Sequence, residues 1–144
     1  MIKDTETDYI ISTNKSKIDI DYVHEYLSTK AFWSMGRSKE VVVKSIECAM
    51  CFSIFDKNTK QVGFARVITD HSTFAYLSDV FVDEQNRGQG LSKKLIQYIL
   101  EHPRLSDINR WMLLTKDAHG LYSKFGFRNT IKSNWIMEMV NDEI

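Results

Sequence analysis

Proline is nearly missing. Pro103 is the single one in 144 residues, and no internal repeat, linker or low-complexity run breaks the chain. Cysteine is scarce too. Cys48 and Cys51 form one Cys-x-x-Cys spacing, but no second pair follows, and His24, His71, His102 and His119 stand at no zinc-finger spacing. The expectation is no metal, with two small buried thiols kept reduced in a cytosol. Neither sign of charge is in excess, with nineteen Lys and Arg against nineteen Asp and Glu. A general nucleic-acid binder more often carries a basic surplus, so no nucleic-acid partner is expected. No stretch reaches the roughly 20 apolar residues of a membrane span, and the polar start MIKDTETD is not a signal peptide. These absences leave a soluble cytoplasmic protein with no membrane partner. A hydrophobic fraction of 43% over this length fits one domain, 1–144, with a real core.

What is present concentrates between Asp79 and Leu100, in DVFVDEQNRGQGLSKKLIQYIL. Val80, Phe81 and Val82 suit a buried strand. Asp83 to Gln85 is polar and turn-like. Gly88 and Gly90 follow around Gln89. Leu91, Leu95, Ile96, Ile99 and Leu100 then recur at the spacing of a helix laying one face on a core, and Pro103 stops it just past His102. The first amides of a helix lack partners within it, and glycines let a backbone approach a bulky ligand. Arg87, Lys93 and Lys94 crowd the same helix start, where cations are unfavourable unless an anion is present. A phosphate or pyrophosphate resolves that conflict; the alternative is an ordinary glycine turn with solvated lysines.

The motif Gln85-x-x-Gly88-x-Gly90 resembles the Q/R-x-x-G-x-G/A signature of the GNAT superfamily of acyl-CoA-dependent N-acetyltransferases. Leu121-Tyr122-Ser123-Lys124-Phe125-Gly126-Phe127 resembles that family's LY-x-K-x-GF element, in the right order along the chain. No third glycine completes a dinucleotide fingerprint, and no Gly-Lys-Ser/Thr closes a Walker loop. The resemblance runs from about Val41 to the C-terminus and more loosely over the whole chain. It is that of a small single-domain bacterial-type member.

The resemblance implies an α+β three-layer fold. Its centre is a mostly antiparallel mixed sheet of six to seven strands, flanked by about four helices. It implies an acyltransferase, of the kind moving groups other than aminoacyl groups. The cosubstrate is acetyl-CoA, and the acetyl group passes directly to a small-molecule or peptide amine in a ternary complex. Two strands, Phe74–Val82 and Arg110–Thr115, would splay to admit the cofactor. Backbone groups at Val80, Phe81 and Val82 would bind its pantetheine arm. Arg87, Gly88, Gln89, Gly90, Leu91 and Ser92 would take the pyrophosphate, and Thr115, Ala118 and Tyr122 would add contacts. Thr115 stands where many members carry Asn.

Tyr122 matches the family's general acid. Asp79 is the candidate base, a carboxylate among apolar neighbours whose pKa burial would raise. A backbone-bonded structural aspartate or a water chain are alternatives, and His24, Asp70 and His71 are further candidates. His119 reads as a structural residue of the short helix. The acceptor would meet Trp33, Arg37 and Tyr76, with Phe32 and Met35 nearby. The aromatic rings would suit an amine and Arg37 a carboxylate, unless Phe32 and Trp33 pack the core. Two rival functions remain open: a non-catalytic CoA-binding or protein-interaction module, and an acyltransferase for another chain length. A homodimer is compatible with either.

Along the chain, strands are expected at Tyr9–Thr13, Cys51–Phe55, Gln61–Thr69, Phe74–Val82 and Arg110–Thr115. A closing hairpin of Phe127–Ile131 and Trp135–Val140 would follow. Helices are expected at Asp19–Lys30, capped by Asp19 or Asp21, at Lys39–Ala49, capped by Ser38, and at Ala118–Lys124, ended by Gly126.

Overall fold

The structure is a computed structural model that describes residues 2–4 and 8–141. Its backbone contacts group into two compact units, Met1–Leu114 and Thr115–Ile144. The first unit holds a six-stranded sheet in the order β1-β2-β3-β4-β5-β6. Its strands are β1 (Ile2–Asp4), β2 (Tyr9–Ser12), β3 (Met50–Phe55), β4 (Gln61–Thr69), β5 (Ala75–Val82) and β6 (Trp111–Leu113). All neighbours pair antiparallel except β5 and β6, which run parallel, so the expected mixed and mostly antiparallel sheet is present.

Strand alternation assigns the two faces. On one face, Cys51, Phe64 and Phe81 pack with Val23, Tyr26, Leu27, Val42 and Ile46. Those residues come from α1 (Ile20–Thr29) and α2 (Lys39–Glu47). On the other face, Phe52 meets Tyr98 of α3 (Leu91–Glu101) with ring centroids 5.9 Å apart. Leu91, Leu95, Ile96 and Ile99 of α3 are buried, the stripe that the helical spacing foretold. Among the described residues no helix is long and apolar enough to cross a membrane.

Local signals place the helices. Asp19 caps α1 by accepting from the N–H of Tyr22, and Ser38 caps α2 by accepting from that of Val41. The buried Gln61 ties α1 to the sheet. Its Oε1 accepts from the Asp19 N–H at 2.8 Å, and its Nε2 donates to Ser53 Oγ and to the Gly63 carbonyl. Gly63 sits where two strands press together: a Cβ there would meet Ile54 Cδ1 at 2.8 Å and the Phe81 carbonyl oxygen at 3.1 Å.

Three expectations need correction. The chain pairs one strand earlier than foreseen, through β1. Cys48 is exposed rather than buried. Only Cys51 is enclosed, its thiol directed at the Ile46 carbonyl and pushed up to about 11 by burial.

The third correction is the closing hairpin, which is not formed. In the second unit, α4 (His119–Ser123) is followed by an extended segment without ladder pairing among the described residues. Local bonds take the place of a ladder there. The Lys132 N–H donates to Thr130 Oγ1, Ser133–Trp135 closes a 3-10 turn, and the Lys132 ammonium lies 4.6 Å over the Trp135 ring. Met137 and Met139 are almost fully exposed.

Candidate active site

The site is built on an irregularity in β5. Phe64 of β4 pairs with Phe81, but Arg66 pairs with Ser78, so Ala65 faces two residues, Asp79 and Val80. This is a β-bulge, and Asp79 takes φ +53° to make it. Pairing with β6 ends just before it, at Leu77 opposite Leu113. Among the described residues, β5 from Ser78 to Val82 therefore has a ladder on the β4 side alone. The Asp83 N–H donates to the Val62 carbonyl at 2.8 Å. By strand alternation Phe81 also turns its backbone toward β4, while Val80 and Val82 turn theirs to the open edge. Phe81 contributes its ring instead, stacked on Tyr26 at 3.8 Å.

The chain then enters the glycine turn. Asp83 Oδ1 accepts from the Gln85 N–H, and its Oδ2 accepts from the Tyr22 hydroxyl. Burial and the Asp83 carboxylate push the Tyr22 phenol well above its ordinary range. Arg87 does not reach out from the turn. Its Nε donates to the Val82 carbonyl at 3.1 Å and its Nη2 to the Tyr26 hydroxyl at 2.8 Å, which pins the turn to β5 and α1. Gly88 and Gly90 have φ of 81° and 76°, a region unfavourable to a side chain. Gly90 begins α3 without any side-chain cap. Among the described residues every N–H from Gly88 to Lys93 lacks a protein acceptor, the next, Lys94, bonding to the Gly90 carbonyl. Gln89 turns its amide toward Tyr9 and the Asn86 carbonyl, leaving its own N–H in that run.

Asp79 is fully enclosed, but its neighbours are not the apolar ones expected. Arg37 Nη1 and Arg66 Nε both donate to its Oδ2, at 2.8 and 2.9 Å, and Trp33 Nε1 donates to Oδ1 at 2.9 Å. Arg37 is held by the connection after α1. The Ser34 hydroxyl donates to the Leu27 carbonyl, the Gly36 N–H to that of Ser28, and His24 Nε2 meets the Arg37 carbonyl. Phe32 and Trp33 stand edge to face at 5.3 Å, both substantially exposed, so neither is core. Tyr76 is half-buried, opposite Ile68. Burial and the Asp79 charge raise its pKa. Trp33, Arg37 and Asp79 are thus brought together. Arg66, which sequence reasoning missed, completes them; a lone cation inside the buried run QVGFARVIT was the available signal.

In the second unit, Thr115 Oγ1 accepts from the Ala118 N–H at 3.0 Å and so leads the chain into α4. His119 is the first residue of that helix. Tyr122 is buried, with its ring 5.8 Å from that of Phe127, and burial raises its pKa. Gly126 takes φ 94° and the Phe127 N–H returns to the Tyr122 carbonyl, ending the helix as foreseen.

Comparison with known proteins agrees with this architecture. Residues 49–129, more than half of the chain, match the family described as acetyltransferase (GNAT) domain. A crystal structure from Xanthomonas campestris pv. campestris, described as belonging to the GNAT family, is 40% identical with a TM-score of 0.89 over 92% of each chain. An uncharacterized N-acetyltransferase, ycf52, of Pyropia yezoensis is 30% identical over 83% of this chain and 70% of its own. A Trypanosoma brucei acetyltransferase shares the fold at 20% identity, with a TM-score of 0.68 over 94% of this chain and 100% of its own. The sheet with its bulge, the glycine turn and these matches together place the chain in the GNAT family of acetyltransferases.

Proposed function

We propose that this chain, acting as a single catalytic domain, transfers an acetyl group from acetyl-CoA to an amine by direct attack in a ternary complex. The observation that carries this reading is the run of amides from Gly88 to Lys93, unpartnered among the described residues, that follows the open edge of β5 after one short turn. Such amides at a helix start favour a bound phosphate. The glycines leave room for it, since a Cβ at Gly88 or Gly90 would meet nothing within 4 Å. A pyrophosphate fits this cradle, and an amide-bearing arm fits the edge beside Val80 and Val82 as an added strand. The bound thioester would supply the activated acetyl group.

The chain's own residues then have distinct tasks. The turn, braced by Arg87, holds the phosphates in place. Val80 and Val82 align the arm. Tyr122, carried by the family motif, donates its phenolic proton to the departing thiolate as the C–S bond breaks. The proton lost by the attacking nitrogen passes through water to solvent, from which the tyrosinate is reprotonated. Burial raises the Tyr122 pKa, so the phenol is protonated at neutral pH. Asp79 enters as a positioning residue, since its two oxygens already accept from Arg37, Arg66 and Trp33.

Titration calorimetry with acetyl-CoA tests the reading. Wild type should bind, and Gly88→Trp, which fills the cradle, should lose binding at least tenfold. An absence of binding to the folded wild type would overturn the proposal. Binding without turnover of any amine would reduce the protein to a CoA-binding module.

A further inference from the structure

The cluster around Asp79 is unbalanced in charge. Two guanidinium groups share one carboxylate oxygen, and no other carboxylate lies within ion-pair distance of either among the described residues. One arginine would have neutralised Asp79, so the second leaves a net positive charge. That charge is poorly hydrated, with the Arg37 and Arg66 side chains only 22% and 11% exposed. Arg37 Nε and Nη2 and Arg66 Nη1 have no protein acceptor among the described residues. A half-buried guanidinium with unused donors is costly unless an anion meets it.

Its position gives this surplus a use. The cluster sits on the bulge, where β6 leaves β5 and the open edge begins. An arm laid along that edge from the glycine turn ends beside it. Around it lie the exposed residue Trp33 and, half-buried on β5, Tyr76. The Trp33 indole is fixed by its bond to Asp79, so its ring is a preset wall.

We infer that the acceptor is an amine that also bears a carboxylate, gripped by the unused donors of Arg37 and Arg66, with its apolar part against Trp33. The inference rests on the acetyltransferase reading above. A planar carboxylate matches the fork of a guanidinium. The same surplus charge repels polyamines, so these are disfavoured as acceptors.

The test uses matched amines with acetyl-CoA, reading the thiol released and the affinity of each amine by calorimetry. L-Phenylalanine is set against L-phenylalaninamide, 4-aminobenzoate against 4-aminobenzamide, and L-glutamate against spermidine. The carboxylate member should lead by at least tenfold in kcat/KM or in affinity in at least one pair. In that pair, Arg37→Gln should bring the ratio toward one, mainly through KM, with acetyl-CoA affinity unchanged. Arg37→Lys, which keeps the charge but not the fork, should retain part of the preference. Amides or spermidine performing as well as the acids in wild type would overturn the inference. So would a panel neither bound nor acetylated, or a ratio untouched by Arg37→Gln. Acetyl-CoA affinity, read in the same titrations, tells these failures from a failure of the cofactor site itself.

Discussion

Tyr122 and Asp79 are both buried, Asp79 against two guanidinium groups and Tyr122 beside the Phe127 ring. Burial is the cause of the raised Tyr122 pKa, and no charged partner contributes. The phenol therefore remains protonated past its ordinary value of about 10. In the role proposed above, a donor works while protonated, so turnover should show no alkaline decline from this group below about pH 10. A pH–rate profile checks that. Tyr122→Phe should lower kcat by roughly 10²–10⁴-fold, the usual worth of a general acid, with acetyl-CoA affinity preserved. An unchanged kcat would remove Tyr122 from the chemistry. Its position was legible because a local motif carries it. The surroundings of Asp79 were not legible, because they are assembled from positions 13, 42 and 46 residues away. The strand sequence showed apolar neighbours along the chain, whereas the partners come from β4 and from the connection after α1.

Elements whose signals are local were read closely. α1 and α2 begin at the residues that the Asp19 and Ser38 caps mark, and α3 buries the stripe set by its spacing. The segment after Phe127 shows the converse. Its alternation of apolar residues reads as strand, but a strand exists only through a partner, and none pairs with it among the described residues. The bulge in β5 was equally hidden, since a register shift is a property of two strands and not of one. Between elements, the Gln61 side chain acts as the joint. Gln61→Leu would leave the Asp19 N–H, the Ser53 hydroxyl and the Gly63 carbonyl without these partners. A loss of about 1–3 kcal/mol follows from unsatisfied buried groups of this kind, measured as a lower urea midpoint at unchanged slope. Because the bond reaches Asp19, the cap of α1, amide exchange in that helix should quicken with it.

At the scale of the molecule, the family was legible before any coordinate, because two short motifs stood in the right order among elements in the right order. The cluster proposed to meet the acceptor was not, since it joins the connection after α1 to two strands of the sheet. Ligand binding should also be visible in stability. A ligand that binds only the folded state adds about 2.7 kcal/mol at a hundredfold excess over its Kd. Acetyl-CoA at that level should raise the melting temperature by several degrees in wild type and not in Gly88→Trp. Equal shifts in both would place the binding elsewhere.

The one-sided ladder of β5 has a consequence beyond catalysis. Between Ser78 and Val82 no strand among the described residues pairs on the side that β6 leaves after Leu77. On the reading above, the cosubstrate serves as that missing strand. The protein then completes its own secondary structure only while loaded, so each round of product release returns it to a slightly less folded state. In that interval the exposed edge would be a template for any extended chain that passes. The cellular supply of cofactor, by occupying it, would act as a chaperone for the enzyme that consumes it.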